Sequence, residues 1–177
     1  MIESNREIRK PSEKREIMPR FEASALRGYC VSVLTASGVE RSCAEAVADA
    51  LIDAELTGVS THGVSRLAVY MQRMDAGVMS RENNIRIVRE STSTLVVDAG
   101  NSLGAAAAKF AMERCIAKAK ETGCCFASVH SSNHFGTAAY YTRLAAAQDM
   151  IGFACTNLKG KICLLYTSPS PRDRQKS

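Results

Sequence analysis

The sequence predicts an α/β fold in which a helical N-terminal part is followed by a hairpin and strand-helix-strand layers. Three observations carry this. Apolar residues between Phe21 and Met74 recur at the three- and four-residue spacing of helices. The pattern changes to short β-rich runs at Ile85–Val88 and Thr94–Val97. Beyond these, runs of helical and strand character alternate, which is the signature of a layered α/β body.

The elements follow in order. Leu26, Tyr29, Cys30, Val33 and Leu34 mark a first helix over Phe21–Ser37, stopped by Gly38. Ser42 and Glu45 make an S-x-x-E capping pattern. It opens a second helix through Ala46, Val47, Ala50, Leu51, Ala54 and Leu56, ending near Gly58. A third helix starts near His62 or Gly63, presents Val64, Leu67, Ala68, Tyr70 and Met71, and runs to Met74, with Gly77 beyond it. The two β-rich runs form a hairpin about Glu90-Ser91-Thr92. A long helix over Leu103–Thr122 buries Ala106, Phe110, Ala111, Ile116 and Ala117 and is capped by Gly123. Cys124–Val129 reads as a buried strand, Gly136–Asp149 as a helix and Ile151–Thr156 as a further strand.

Composition narrows the function classes. With 46% hydrophobic and 23% charged residues the chain can bury a core. The net charge is +5, but Arg172, Arg174, Lys176 and Asp173 in the last stretch account for two of these charges. The remaining basic residues are dispersed with little aromatic interleaving, which argues against nucleic acid. No apolar run approaches the ~18 residues of a membrane span, and no signal peptide is read. The cysteines make no Cys-x-x-Cys pair and sit mostly in apolar stretches, which points to a reducing, cytoplasmic setting.

Three zones are expected. Residues 1–20 read as a disordered leader: the charged segment up to Ile17 carries Glu3, Glu7, Glu13 and Glu16, unlike an acid-poor mitochondrial presequence. Residues 21–157 form the body. Residues 158–177 do not continue it. Within them Cys163–Asp173 matches a translated transposase-type sequencing adapter, so residues 163–177 are expected to be an artefact of sequencing and the chain a truncated reading of a longer gene.

Two histidine clusters carry the chemistry. Thr61-His62-Gly63-Val64-Ser65-Arg66 lies where a loop enters a helix. The four-residue spacing puts His62 and Arg66 on one helix face. A guanidinium there can hold a carboxylate with two bonds while the imidazole exchanges a proton near neutral pH. The alternative is a His and an Arg on a solvated face. His130-Ser131-Ser132-Asn133-His134-Phe135-Gly136 follows a strand and precedes a helix, the position where α/β sheets place ligands. Ser132 and Asn133 can orient His134 or bind substrate oxygens. The alternative is an ordinary polar turn. His130 and His134 also have metal-ligand spacing, but a turn separates them and no third ligand is evident, so no metal is assigned. Val97–Gly104 invites a dinucleotide-loop reading. Its spacing is Gly-x-x-x-Gly rather than G-x-G-x-x-G, and its strand is expected in a hairpin rather than a βαβ unit, so it reads as a turn and helix start.

Taken together, Thr61-His62-Gly63 with Arg66, Leu95–Asp98 through Gly104, Ser132–Gly136 and Thr156-Asn157 resemble the malate/L-lactate dehydrogenase type 2 family over Phe21–Asn157. The resemblance implies an incomplete non-Rossmann dehydrogenase fold and a homodimer. It implies hydride transfer between NAD or NADP and a small 2-hydroxy or 2-oxo acid such as malate or lactate, with ureidoglycolate or imine-type substrates as alternatives in the same family. His134 matches a family proton donor, and His62 a histidine given that role in some members. Thr61 stands where Ser is common, and Arg66 matches a substrate-contacting arginine. Leu158 departs from the family's Ser or Thr after Thr-Asn, and the cofactor-binding residues are not assigned. The longer parent is expected to be the enzyme and this chain inactive. The competing readings are an inactive truncated binding or regulatory module and a metal-dependent hydrolase using His130 and His134.

Overall fold

Helices form the first layer. The computed structural model describes residues 20–157. Helix α1 (Ala23–Ala36) and helix α2 (Arg41–Leu56) pack against each other through Cys30, Val31 and Leu34 on one side and Cys43, Val47, Ala50 and Leu51 on the other. The alanines of α2 let its neighbours approach closely, since Ala44, Ala48 and Ala54 are fully buried. Gly38 turns the chain between the two helices with φ +87°. A 3₁₀ turn (Ser60–His62) then leads into α3 (Ser65–Asp75). The third helix therefore starts later than its sequence suggests, because His62 and Gly63 belong to the tighter turn before it.

The second layer is a small sheet with its own helices. Strands β1 (Arg86–Glu90) and β2 (Thr94–Asp98) are antiparallel, with an irregularity between Ile87 and Arg89. Helix α4 (Gly104–Thr122) carries the chain to β3 (Phe126–His130), which pairs parallel to β2 from Thr94↔Phe126 to Asp98↔His130. Helix α5 (Ala138–Ala146) follows. The core between the layers includes Leu67, Tyr70, Met74, Leu103, Ala105, Ala106, Tyr140 and Tyr141.

Several expectations are corrected. Strand β2 belongs to a hairpin and also opens a βαβ unit through α4 and β3, so the two descriptions do not exclude each other. Ile151–Thr156 is not a strand: no backbone pairing forms there among the described residues, and Ile151 and Phe153 are exposed. An apolar run becomes a strand only when a neighbour completes its hydrogen bonds. Strand β3 is not buried either; it lies at the sheet edge with Phe126 exposed. The capping box is not made. Helix α2 begins two residues earlier, with Glu40 rather than Ser42 at its N-cap; Ser42 donates to Glu40, and Glu45 pairs with Arg41 instead. On α4 the buried stripe is concentrated in the first two turns, Gly104–Ala107 and Ala111, while Ala117 is exposed. The leader up to residue 19 and the segment 158–177, including the adapter-like run, lie outside the described residues.

Two glycines act for different reasons. Gly123 ends α4 in the left-handed region at φ +83°, with open space around it. Gly104 starts the same helix, and a Cβ there would sit 2.1 Å from the Asn133 carbonyl oxygen and 2.5 Å from that of His134. Gly123→Ala is expected to cost about 1–2 kcal/mol through backbone strain alone. Gly104→Ala is expected to cost about 1–3 kcal/mol by overpacking and also to shift the His134 imidazole signals in NMR spectra. Urea unfolding followed by histidine NMR checks both, and an unmoved His134 in Gly104→Ala contradicts the second.

Candidate active site

The 3₁₀ turn is built on the end of α2. The Glu55 carboxylate accepts a hydrogen bond from the Val64 amide at 2.7 Å. A Cβ at Gly63 would lie 2.0 Å from Oε1 of that same carboxylate, so a larger residue would displace Glu55 from the Val64 amide. This fixes the residue just before the glycine. His62 Nδ1 lies 3.0 Å from Thr61 Oγ1. Arg66 Nε donates to the Thr61 carbonyl at 2.5 Å, which leaves its two Nη groups without a protein partner among the described residues.

The second histidine comes from the other layer. Strands β2 and β3 end together at Asp98 and His130, and both chains turn sharply there. Ala99 N donates to the His130 carbonyl at 3.0 Å and Asn101 N to that of Ser131 at 2.8 Å. Gly100, Asn101 and Ser131 take positive φ to make these turns. Asn133 locks them: its Nδ2 lies 3.0 Å from Asn101 O, Asn101 Oδ1 and Ser102 O. Its Oδ1 accepts from Arg73 of α3 at 3.2 Å. Next to it, His134 projects toward the helical layer.

There the clusters meet. The rings of His62 and His134 lie 5.3 Å apart, centre to centre, inclined by 31°. The buried Tyr70 places its hydroxyl 2.9 Å from His134 Nδ1. Arg66, Tyr70 and Arg73 share one face of α3 by their spacing. Partial burial, then the charges of His62, Arg66 and Arg73, hold the His134 pKa below the ordinary imidazole value. Burial pushes the Tyr70 hydroxyl the other way, up to about 12. The result is two imidazoles and two guanidiniums on an open face, with no carboxylate hydrogen-bonded to any of them among the described residues.

The remaining candidates separate from this group. Ser132 is exposed and makes only a long 3.5 Å contact to the Asn133 carbonyl. His130 turns away: its Nδ1 lies 3.0 Å from Ser131 Oγ and 3.8 Å from Asp98 Oδ1. Asp98 is nearly buried, held by Arg86 and by the Gly100 amide, which together keep its carboxyl below the usual range, the amide contributing most. Among the described residues no three His, Cys, Asp or Glu side chains are placed to share a metal ion. The Asp98–Ser102 turn offers no phosphate cradle, since its amides go to Asp98 Oδ1, Ser131 O and Ala99 O. Tyr70, Arg73 and Asn101 were not among the sequence candidates. The signal for the first two was available in their four- and seven-residue spacing from Arg66. Asn101 had no such signal.

Comparisons with known proteins identify the family. Residues 21–168 match the malate/L-lactate dehydrogenase family. The malate/(S)-sulfolactate dehydrogenase of Methanothermus fervidus is 37% identical over 150 residues, covering 81% of this chain and 44% of the relative. The L-sulfolactate dehydrogenase of Methanocaldococcus jannaschii is 38% identical over 146 residues, covering 78% of this chain and 42% of the relative. The structure of malate dehydrogenase from Pyrococcus horikoshii OT3 superposes with a TM-score of 0.71 at 37% identity, over 73% of this chain and 37% of that one. The chain thus spans less than half the length of these relatives. With the fold and the sequence match in agreement, the chain belongs to the malate/L-lactate dehydrogenase family.

Proposed function

We propose that the whole protein interconverts a small 2-hydroxy acid and the corresponding 2-oxo acid, of the malate or lactate kind, using NAD or NADP. The observation that carries this is the His62–His134 pair beside the unpartnered Nη groups of Arg66. Reduction of a 2-oxo acid builds negative charge on the keto oxygen, and an imidazolium beside it supplies the proton. His134 is that donor, and His62 stands against it as the second imidazole. The Nη groups of Arg66 match a carboxylate and set which face of the keto group is presented. Thr61 holds the His62 ring from its Nδ1 side. Asn133 acts through structure, by fixing the turn that presents His134, and Ser132 lies at the rim where substrate oxygens enter.

The donor set fits the acid half of such a reaction. When bound, a nicotinamide supplies or accepts the hydride at the carbon bearing the oxygen. The dinucleotide phosphates need a cradle other than the Asp98–Ser102 turn, whose amides are taken. The family resemblance carries with it a cytoplasmic homodimer. The same resemblance leaves the side chain of the acid open among malate, lactate, ureidoglycolate and imine-type substrates.

Three results are expected. His134→Gln lowers kcat for 2-oxo acid reduction about 10²–10⁴-fold, measured as NADH or NADPH oxidation with oxaloacetate and pyruvate. Arg66→Lys raises KM about 10-fold or more, with a smaller change in kcat. The pH dependence has a definite sign. Reduction needs His134 charged, and its pKa is lowered, so kcat/KM for reduction falls as pH rises through a value below the ordinary imidazole range. Oxidation of the hydroxy acid needs it neutral and rises through the same value. Undiminished turnover in His134→Gln contradicts the assignment.

A further inference from the structure

Tyr70 sits with its ring in the core between the layers, only 3% exposed. Among the described residues its hydroxyl makes one hydrogen bond, to His134 Nδ1 at 2.9 Å, and in that bond the protonated imidazole can only donate. The backbone beneath it packs on Gly104, where a Cβ would lie 2.5 Å from the His134 carbonyl oxygen, and the His62 ring lies 5.3 Å away, centre to centre. Neither contact is a hydrogen bond that distinguishes the two ring nitrogens. A half-turn would exchange the positions of the ring nitrogens and carbons and take the exchangeable proton out of the site.

We infer that Tyr70 is a positioning residue for the proton donor: its hydroxyl oxygen accepts the Nδ1–H of His134, so that Nε2 is the atom that exchanges a proton with substrate. The consequence for catalysis rests on the dehydrogenase reading above; the geometry does not. The bond a ring nitrogen makes decides which tautomer the other presents. With Nδ1–H given to Tyr70, the charged ring releases its proton from Nε2 and stays neutral with Nδ1 still protonated. His62 repeats the device, with Thr61 Oγ1 3.0 Å from its Nδ1. Both rings therefore turn Nε2 away from their hydroxyl partners.

A phenol suits the task better than a carboxylate. A carboxylate on Nδ1 would stabilise the imidazolium and raise its pKa. Tyr70 keeps its proton through the neutral range, so it orients the ring and adds no negative charge. The charged or titratable groups facing His134 are then His62 from the 3₁₀ turn and Arg66, Tyr70 and Arg73 from α3. The three cationic groups all favour the neutral ring.

The test has two arms. In two-bond ¹H–¹⁵N spectra of the labelled chain at a pH where His134 is neutral, its Nδ1 is expected to carry the proton. In Tyr70→Phe, which keeps the buried ring, the signal is expected to move to the Nε2–H form that unconstrained histidine prefers. An Nε2–H tautomer in the unaltered chain overturns the inference, whether or not the variant folds. In the whole protein, Tyr70→Phe is expected to lower kcat for 2-oxo acid reduction about 10–100-fold, with KM changed less than about 3-fold. The change of tautomer in the same variant separates loss of positioning from loss of packing. Unchanged kcat overturns the inference. Absence of turnover with every 2-oxo acid, alongside the expected tautomer, would instead remove the dehydrogenase reading and leave the positioning contact standing.

Discussion

The site depends on one side-chain amide. Asn133 Nδ2 has two protons and faces three acceptors in the Asn101–Ser102 turn, while its oxygen takes a bond from Arg73. One residue thus joins the start of α4, the loop after β3 and helix α3. The parallel register of β2 and β3 brings the two turns side by side, and the amide fixes their distance. Keeping the chain in these turns has a cost. Asn101 and Ser131 take positive φ, which is about 1–2 kcal/mol unfavourable for residues with a side chain, less for Asn. The bonds to Asn133 and the two backbone bonds across the turns offset that cost at the point where His134 must be held.

Electrostatics then follow from what the fold leaves out. Arg66, Arg73, His62 and His134 converge, and among the described residues no carboxylate is hydrogen-bonded to any of them. Glu55 is committed to the Val64 amide and Asp98 to Arg86 and Gly100. A cationic face without an internal counterion attracts an anion and has low affinity for an additional proton. Both effects suit a site that receives a carboxylate and then protonates an oxygen beside it.

The histidines and Arg66 were legible because their chemistry shows in short strings: a turn, a helix start, a strand end. Their meeting was not legible, because it depends on the register of β2 with β3 and on where α3 lies. Tyr70 read as one more member of an apolar stripe. Its ring does belong to the core, and only its last atom reaches the site. The α/β class and most helices followed from periodicity. Ile151–Thr156 misled because its composition suits a strand while no partner strand pairs with it among the described residues. Ser42 and Glu45 misled because Arg41 and Glu40 were better placed to take both side chains.

The division of labour between the layers has a mechanical consequence. His134, the proposed proton donor, stands on the βαβ layer, whereas Tyr70, Arg66, Arg73 and His62 face it from α3 and the turn before it. Tyr70 spans the gap. Its ring is packed with the same cluster that includes Leu103, Ala105, Ala106 and Tyr141, and its hydroxyl ends at His134. Packing in that cluster has little room to relax, since protein interiors are close to crystal density. A displacement of α4 against α3 would therefore move the hydroxyl and the imidazole relative to each other before it moved either backbone far. Hydrogen-bond strength falls steeply with misalignment. On the proposed assignment, the donor is therefore competent only when the two layers are fully docked, and the core that stabilises the fold also sets the geometry of proton transfer.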